Sequence, residues 1–254
     1  MNEAARITGL YRYPLKGLTP EPMAEAALTP GETIAWDRAF AIENGSADFD
    51  PLAPKHFPKI KFLMLMKNER LARLRSLFDE RTTTLTLSED GRDLLSANLM
   101  TTEGRTALEA FMRAYMKDEL RGAPRVVHAP GFSHSDVSAR VVSIINLESV
   151  RALEKVIGRP VDPLRFRANV YVDGLDAWED HGWVERSLRL GNARLKGIME
   201  IQRCAATNVD PTSAARDMDI PGTLMRSFGH MNLGLYAEVT EAGTIRHGDA
   251  ITPD

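Results

Sequence analysis

The chain has 254 residues, of which 43% are hydrophobic and 26% are charged, and its formal net charge is -3 at pH 7. This composition is typical of a globular protein, and the length allows one large domain or two small ones. There is no basic surplus to neutralise a run of phosphates, so we expect no nucleic-acid partner. Residues 1–13 lack a signal-peptide pattern, and no segment approaches the roughly 20 apolar residues that span a bilayer. We therefore expect a cytoplasmic protein without a membrane partner.

The N-terminal part of the sequence predicts strands and turns before any clear helix. Short apolar runs that are cut by proline and glycine predict strands over residues 6–13, 23–28 and 34–42. Three prolines and two aspartates predict a loop over residues 48–58. Helical spacing of apolar side chains then predicts a helix that contains Leu71, Leu74, Leu77 and Phe78. Alternating Thr and Leu over residues 82–88 predict a strand, and Glu89-Asp90-Gly91 predicts a tight turn after it.

Two amphipathic helices are predicted in the middle of the chain. The first begins near Thr102 and places apolar side chains on one face, namely Leu108, Phe111, Met112 and Tyr115. The second has Asn146 as its N-cap and Gly158 as its stop. After Arg165 the pattern returns to strands, at residues 169–172, 186–190, 193–199 and 233–239. The dipeptide Gly191-Asn192 predicts a hairpin between two of these strands.

Strands therefore dominate both ends of the chain, and helices dominate its middle. The connections between strands are too short for repeated parallel crossovers, which favours barrel or sandwich pieces. We predict a β-rich α+β fold. A segment rich in Pro, Gly, Ser and His over residues 124–136 is the best place to divide the chain, which gives domains at residues 1–125 and 126–254.

Cys204 is the only cysteine, so no disulfide can form within the chain, and no iron–sulfur or zinc site can draw several thiolates from it. The adjacent guanidinium of Arg203 can stabilise a thiolate, which is the form that binds a soft metal. A lone cysteine is more often a small buried hydrophobic side chain. The six histidines lack metal-ligand spacing, so we expect surface or core roles for them.

Basic residues at predicted turns and strand ends form a second group of candidates. Lys16 and Arg38 lie in the first segment, and Arg165 and Arg167 are two positions apart in an extended run. Residues two apart on a strand face the same way, and two arginines can hold a phosphate or carboxylate through paired hydrogen bonds. Solvated charge is the ordinary alternative for each of them.

Five segments together carry a resemblance to a known family. They are "LYRYPLKGL" and "LTPGETIAWDRAFAIENG" within residues 7–45, then "RFRANVYVDGLDAWEDHGW", "RLGNARLKGIMEIQRCAATNVDPTS" and "NLGLYAEVTEAGTIRHGDAI" within residues 162–251. In this order they resemble the MOSC family, and within it the mitochondrial amidoxime-reducing proteins and their bacterial relatives. The resemblance covers nearly the whole chain. It implies an N-terminal β-barrel-like module packed on a MOSC β-barrel with peripheral helices.

The resemblance also implies a molybdenum cofactor between the two parts, whose pterin dithiolene sulfurs bind the metal, and it implies no role for pyridoxal phosphate. Cys204 matches the position of the protein thiolate on molybdenum and is the implied catalytic and metal-binding residue. Residues that match cofactor-binding positions or flank the cysteine motif are Lys16, Arg38, Arg167, Asn169, Arg203 and Thr207. The chemistry agrees, because a phosphate needs forked cationic donors and a soft metal prefers sulfur.

The implied activity is that of a molybdenum-dependent oxidoreductase, which reduces a small N-hydroxylated substrate by two electrons. Its electrons would come from a separate donor protein, because no cysteine remains for an iron–sulfur cluster. Thr207 and Asp210 are candidate proton donors only by their proximity to Cys204. One alternative is a cofactor carrier or sulfur-transfer protein without redox turnover. Another is a binding module without cofactor, since Gly17 and Gln202 replace serines of the family.

Overall fold

The computed structural model describes residues 5–45 and 48–254. The first residues of the predicted N-terminal domain, which were also searched for a signal peptide, lie outside the described residues. The strands are β1 (Arg6–Arg12), β2 (Glu21–Pro22), β3 (Glu25–Leu28), β4 (Phe40–Asn44), β5 (Arg75–Asp79), β6 (Thr84–Glu89), β7 (Arg92–Asn98), β8 (Pro124–His128), β9 (Val142–Asn146), β10 (Val170–Asp173), β11 (Ser187–Leu190), β12 (Ala193–Gln202), β13 (Asn232–Glu241), β14 (Gly243–Arg246) and β15 (Ile251–Pro253). The α-helices are α1 (Thr102–Met116), α2 (Leu147–Ile157) and α3 (Ile220–Phe228). Short 3₁₀ helices lie at Lys59–Lys61, Glu69–Arg73, Lys117–Glu119, Pro163–Phe166, Glu179–Trp183 and Ala205–Asn208.

The largest sheet has eight strands in the order β15-β11-β12-β13-β9-β10-β1-β2. Neighbouring strands are antiparallel except β9 and β10, which are parallel and are connected through α2. The sheet surrounds an apolar core that includes Ile7, Val170, Trp183 and Leu235, all of which are at most 1% exposed. The predicted β-rich α+β class is therefore confirmed.

Strands from the two halves of the chain pair with each other. β1 pairs with β10, β3 pairs with β14, and β4 pairs with β8. β8 lies in the segment where the composition indicated a division, and it forms regular backbone hydrogen bonds with β4. The N-terminal residues Ile7, Leu10 and Leu28 consequently lie in the same apolar core as the C-terminal strands.

A second apolar core lies under the three-stranded sheet β5-β6-β7 and helix α1. It contains Leu74, Leu85, Leu108 and Met112, which are fully buried. Loop residues of the first half, such as Leu15 and Leu18, pack into the same core. These loop residues flank Lys16 and so fix its backbone between the second core and the eight-stranded sheet.

Several predicted elements are confirmed by their local geometry. The Asn146 side chain accepts a hydrogen bond from Glu148 N at the start of α2, and Gly158 ends that helix in the left-handed conformation. The Thr101 side chain caps α1 by accepting from Gly104 N. β11 and β12 form the hairpin predicted from Gly191-Asn192. None of the helices among the described residues has the length and apolar character needed to cross a membrane.

Three predicted elements were wrong or too long. The run Arg165–Asn169, predicted to be extended, begins instead in the 3₁₀ helix Pro163–Phe166, and Arg167 after it is left-handed. The predicted helix over Leu71–Phe78 is instead a short 3₁₀ helix followed by β5, since Leu77 is 63% exposed and the apolar spacing does not form a buried helical face. Of the strand predicted over residues 34–42, only the part from Phe40 is a strand. Turns precede it, and Trp36 and Arg38 there have positive φ angles of 65° and 54°. The sequence analysis also missed β2, β7, β8, β9, β14, β15 and α3.

Candidate functional site: a basic cleft around a single cysteine

A cleft of about 360 Å³ lies between the two halves of the chain, and we refer to it as the basic cleft. Six cationic side chains and three carboxylates line it within the described part of the chain. All seven residues nominated from the sequence lie on its walls, namely Lys16, Arg38, Arg167, Asn169, Arg203, Cys204 and Thr207. The excess of positive charge suits an anionic ligand.

Cys204 lies just after β12 and precedes the 3₁₀ helix Ala205–Asn208. Its side chain is partly exposed to the basic cleft. Lys59 Nζ lies 3.3 Å from Cys204 Sγ, so the cation that touches the sulfur comes from the opposite wall. Burial opposes the charge of Lys59, but Asp136 and Cys204 together raise its pKa above the ordinary value. A protonated ammonium at this distance stabilises a thiolate.

Asp136 links two lysines in the basic cleft. Its carboxylate lies 2.5 Å from Lys16 Nζ and 3.0 Å from Lys59 Nζ. Lys16 also donates to the main-chain oxygen of His134 at 2.8 Å. Burial would raise the pKa of Asp136, but the two ammonium groups hold it well below its usual range. Burial lowers the pKa of Lys16 against the pull of Asp136, so an additional anion beside Lys16 would stabilise its charged form.

Arg38 and Arg167 flank the ring of Tyr13. Their guanidinium carbons lie 4.7 Å and 4.4 Å from the ring centroid, within the range of a cation–π contact. Arg38 pairs with Asp37 and donates to the main-chain oxygen of Arg167 at 2.8 Å. The Tyr13 ring is fully buried, and burial raises its pKa to about 12, so the phenol is neutral between the two cations.

Arg167 differs from the other cations of the basic cleft. Within residues 5–45 and 48–254 its guanidinium forms no hydrogen bond and no ion pair, and Tyr13 is its ring contact. Burial, which opposes its charge, lowers the pKa of Arg167 below the ordinary value. Its φ angle of 53° is left-handed, a strained conformation for a residue with a side chain. A guanidinium without an anionic partner has the charge and the forked donors that suit an anion.

The other three nominated residues mainly fix the backbone. Arg203 donates to the main-chain oxygens of Leu233 and Phe166, at 2.7 Å from its Nε and 2.9 Å from its Nη1 respectively. The Asn169 side chain accepts from Ser143 Oγ at 2.7 Å and donates to a main-chain oxygen of β1 at 3.1 Å. Thr207 Oγ1 donates to Cys204 O at 2.9 Å. These bonds hold the residues around Cys204 in place.

Asp210 is one candidate that the structure does not bring to the basic cleft. It is not among the lining residues, and its carboxylate pairs with Arg165 at 2.9 Å and caps the turn at Thr212 and Ser213. Closeness to Cys204 in the sequence therefore did not predict that Asp210 lines the basic cleft, because the chain turns away after Asn208.

The replacement of serine by Gly17 has a structural reason. Gly17 has a φ angle of 90°, and a Cβ atom there would lie 3.1 Å from Leu63 O and from a methyl group of Leu71. The backbone at this position therefore favours glycine over serine. Gln202, the other replacement, is exposed and lines the basic cleft.

The sequence reading missed Tyr13, Asp37, Lys59 and Asp136. Tyr13 and Asp37 lie within the two N-terminal segments that carry the resemblance, so these segments could have suggested them. Asp136 lies in the segment 133–138, which resembles no fixed motif. No signal points to Lys59, since its contact with Cys204 depends on the path of the whole loop that precedes it. Among the described residues there is no cluster of three or more His, Cys, Asp and Glu side chains suited to a metal ion.

Comparisons with known proteins match both halves of the chain. A family model described as the MOSC domain matches residues 126–252, and one described as the MOSC N-terminal beta barrel domain matches residues 4–121. Mitochondrial amidoxime-reducing component 1 of Xenopus laevis is 28% identical over 44% of this chain and 36% of that protein. Mitochondrial amidoxime reducing component 2 of Macaca fascicularis is 32% identical over 34% of this chain and 29% of that protein. The matches thus span well under half of each relative.

Among solved structures, the YUAD protein from Bacillus subtilis matches with a TM-score of 0.46 and 15% sequence identity. That match covers 98% of this chain and 94% of the other.

Proposed function

Because the chain belongs to the MOSC domain family, we propose that the basic cleft holds a molybdenum cofactor and that the protein reduces N-hydroxylated compounds by two electrons. The single observation that carries the proposal is the meeting of the only thiol with a group of cations in one cleft. A pterin cofactor that carries a phosphate at one end and a soft metal at the other needs both features in the same place.

The chemistry of the donors fits such a cofactor. Arg167, with no anionic partner among the described residues, would hold the phosphate, and Lys16 and Arg38 would add charge beside it. Cys204 would be the protein ligand of the metal, with the remaining sulfur ligands supplied by the dithiolene. When bound, the cofactor supplies the change of oxidation state that the reaction requires.

The residues of this chain would then position the cofactor and tune the properties of its metal. Lys59 keeps positive charge beside the Cys204 sulfur, which stabilises a thiolate ligand. Arg203 and Thr207 anchor the main chain on both sides of the sulfur, so its position is set by backbone bonds. Tyr13 spaces Arg38 and Arg167 and excludes water from between them.

The substrate class follows from the relatives, whose names describe amidoxime reduction. We propose a small molecule with an N–OH group, such as an amidoxime or a hydroxylamine, and a separate protein as the electron donor. The test is to purify the protein from a host that makes the cofactor, and to measure molybdenum and pterin per chain and the reduction of benzamidoxime by reduced methyl viologen. Cofactor at about one per chain without any turnover would contradict the reductase proposal.

A second candidate function is sulfur transfer or cofactor carriage without redox turnover. The contact between Lys59 and Cys204 favours it, because a cation beside a thiolate also suits a persulfide that is handed to an acceptor. The same assay separates the two functions. A carrier binds the cofactor and releases it to an apoenzyme, whereas a reductase consumes the electron donor in proportion to the amine or amidine formed.

A further inference from the structure

Basic side chains are concentrated in one segment of the chain, residues 55–75. This segment carries seven lysine and arginine residues and one carboxylate, although the chain as a whole has a formal net charge of -3. Six of the seven cationic residues are exposed to solvent, namely Lys55, Lys61, Lys67, Arg70, Arg73 and Arg75. The carboxylate, Glu69, is paired with Arg216, which adds a further cation to this region. The segment therefore carries a positive charge that its own residues do not neutralise.

The same segment forms part of the wall of the basic cleft. Lys59 and residues 64–66 line the cleft, and Lys59 Nζ lies 3.3 Å from the Cys204 sulfur. The next residue, Ile60, is 45% exposed to solvent. A single peptide unit thus separates the residue that contacts the thiol from a residue on the outer surface of the protein.

Cationic side chains surround Ile60 on this outer surface. Arg121 donates a hydrogen bond to the main-chain oxygen of Ile60, and both residues line a small hollow of about 250 Å³ together with Lys67. Lys61 lies on the same 3₁₀ turn as Ile60. Arg216 donates to main-chain oxygens of the segment at 2.9 Å and to that of the residue after the cysteine at 3.0 Å. We refer to Ile60, Lys61, Lys67, Arg121 and Arg216 as the basic face.

The charge of the basic face is largely free to meet a partner. Lys61 and Lys67 form neither a hydrogen bond nor an ion pair within residues 5–45 and 48–254. The carboxylate of the hollow, Glu119, accepts a hydrogen bond from the Asn68 side chain at 3.0 Å instead. An exposed apolar residue among cations suits a partner with an acidic surface, because opposite charges steer the encounter and the apolar contact adds affinity.

The position of the basic face narrows the class of partner. Electron transfer requires the donor group to come close to the acceptor, and this face lies against the segment that contacts Cys204. A nucleic acid or a membrane surface would also be attracted by the cations, but neither has a need to lie beside the thiol. The location therefore favours a protein that delivers electrons.

We propose that the basic face is the docking surface for an electron-donor protein with an acidic surface. The inference rests on the proposed reductase function. The partner carries a reduced redox group and gives up two electrons for each N–OH group that is reduced. These electrons break the N–O bond, and two protons from solvent complete an N–H bond and a water molecule. The oxidised partner then dissociates.

Binding is tested with oxidised flavodoxin, an acidic flavoprotein, as the probe. Lys61→Glu/Lys67→Glu reverses two cations that do not line the basic cleft. The control Lys155→Glu/Arg189→Glu changes the net charge equally, at exposed residues of α2 and β11. In calorimetry at roughly 20 mM salt, the Kd of the loaded protein should rise about tenfold in the first variant and little in the control. Circular dichroism checks that both variants are folded.

Equal dissociation constants in the two double variants would overturn the inference, as would the absence of any binding to the wild type. Vesicles that contain phosphatidylserine provide the test for the competing occupant. If such vesicles bind the wild type but not Lys61→Glu/Lys67→Glu, and flavodoxin binds neither protein, the basic face serves a membrane surface and the inference is wrong.

Turnover of the loaded enzyme then tests electron delivery to benzamidoxime. With reduced flavodoxin as the donor, the rate of Lys61→Glu/Lys67→Glu should fall about tenfold relative to the control. With reduced methyl viologen, a small cation that needs no docking surface, the same variant should keep the wild-type rate. An equal fall with both donors would overturn the docking role, and so would flavodoxin that binds the wild type but gives it no electrons. Absence of turnover with methyl viologen in the loaded wild type overturns the proposed function and the inference with it.

Discussion

Lys59 Nζ lies 3.3 Å from Cys204 Sγ, although the two residues are 145 positions apart in the chain. The contact brings a cation from the first half of the chain onto the only thiol, which lies in the second half. The surroundings of the thiol therefore depend on how the two halves of the chain are packed.

We expect Lys59→Met to slow the alkylation of Cys204 by iodoacetamide in the cofactor-free protein at pH 7. The loss should be about fivefold, which corresponds to about 1 kcal/mol of charge interaction at a partly exposed site. Iodoacetamide is neutral, so its own attraction to the cleft does not change. The matched control is Lys61→Met, on the same turn and exposed to solvent. Equal rates in the two variants would show that Lys59 does not support the thiolate.

Cys204→Ala and Cys204→Ser should both abolish amidoxime reduction. Neither change opens a large cavity, because the side chain is small and partly exposed, so the melting temperature should stay close to that of the wild type. Serine preserves the size but offers a hard oxygen in place of a soft sulfur. Turnover by reduced methyl viologen, with circular dichroism for the fold, checks both points. Full activity in the serine variant would rule out the sulfur as a necessary ligand.

Arg167→Ala should lower the pterin content of the purified protein without lowering the stability of the cofactor-free protein. Its guanidinium has no partner in the described structure, so no carboxylate is left unpaired when it is removed. One charge-assisted bond is typically worth about 1.5–3 kcal/mol, so we expect cofactor affinity to fall by roughly tenfold or more. Pterin is measured by fluorescence after oxidative release. The control is Arg189→Ala, on the exposed side of β11.

Lys16→Ala and Arg38→Ala should also lose cofactor, but with a cost in stability. Each leaves a carboxylate without its main partner, Asp136 in the first case and Asp37 in the second. The free energy of unfolding of the cofactor-free proteins separates this effect from the loss of binding. Unchanged pterin content in Lys16→Ala, Arg38→Ala and Arg167→Ala would contradict a shared anion site.

His134 should make the fold sensitive to acid. Burial, and to a lesser extent Lys16, lowers its pKa from 6.5 to about 3, so between these values the unfolded chain binds a proton that the folded chain does not. Stability due to this group is complete above pH 6.5 and falls as the pH is lowered. Between pH 7 and pH 5 the loss should be about 2 kcal/mol. The free energy of unfolding of His134→Phe, measured with urea, should not fall in this way between pH 7 and pH 5. The control His247→Gln, which changes an exposed histidine, should show the same fall as the wild type.

The motifs of the sequence led to the cysteine and to several cations of the basic cleft, but not to the partners of these side chains. Lys16, Arg38, Arg167 and Cys204 could be nominated because short segments resemble a family. Lys59 could not, since its position depends on a long-range packing that no local pattern encodes. Arg203 was expected to support the thiolate, yet its three described side-chain hydrogen bonds all go to main-chain oxygens.

The fold was predictable where local chemistry decides it. The caps of α1 and α2 and the hairpin of β11 and β12 depend on residues a few positions apart, and these predictions were confirmed. The leucine spacing around Leu74 was misleading, because a spacing of three fits a helix, but pairing of β5 with β6 decided the structure. The pairing of β1 with β10 has no local signal at all.

The pairing of β3 with β14 also sets the order of events during synthesis. Arg246 on β14 donates to Glu25 on β3, 221 positions away, and Arg6 reaches Gly248 O across 242 positions. A ribosome must release nearly the whole chain before β3 finds its partner β14. The edge of β3 therefore stays open until then, and contacts of such sequence separation close slowly. The basic cleft likewise forms only after β12 and β13 have been made, since Cys204 and Tyr236 line it.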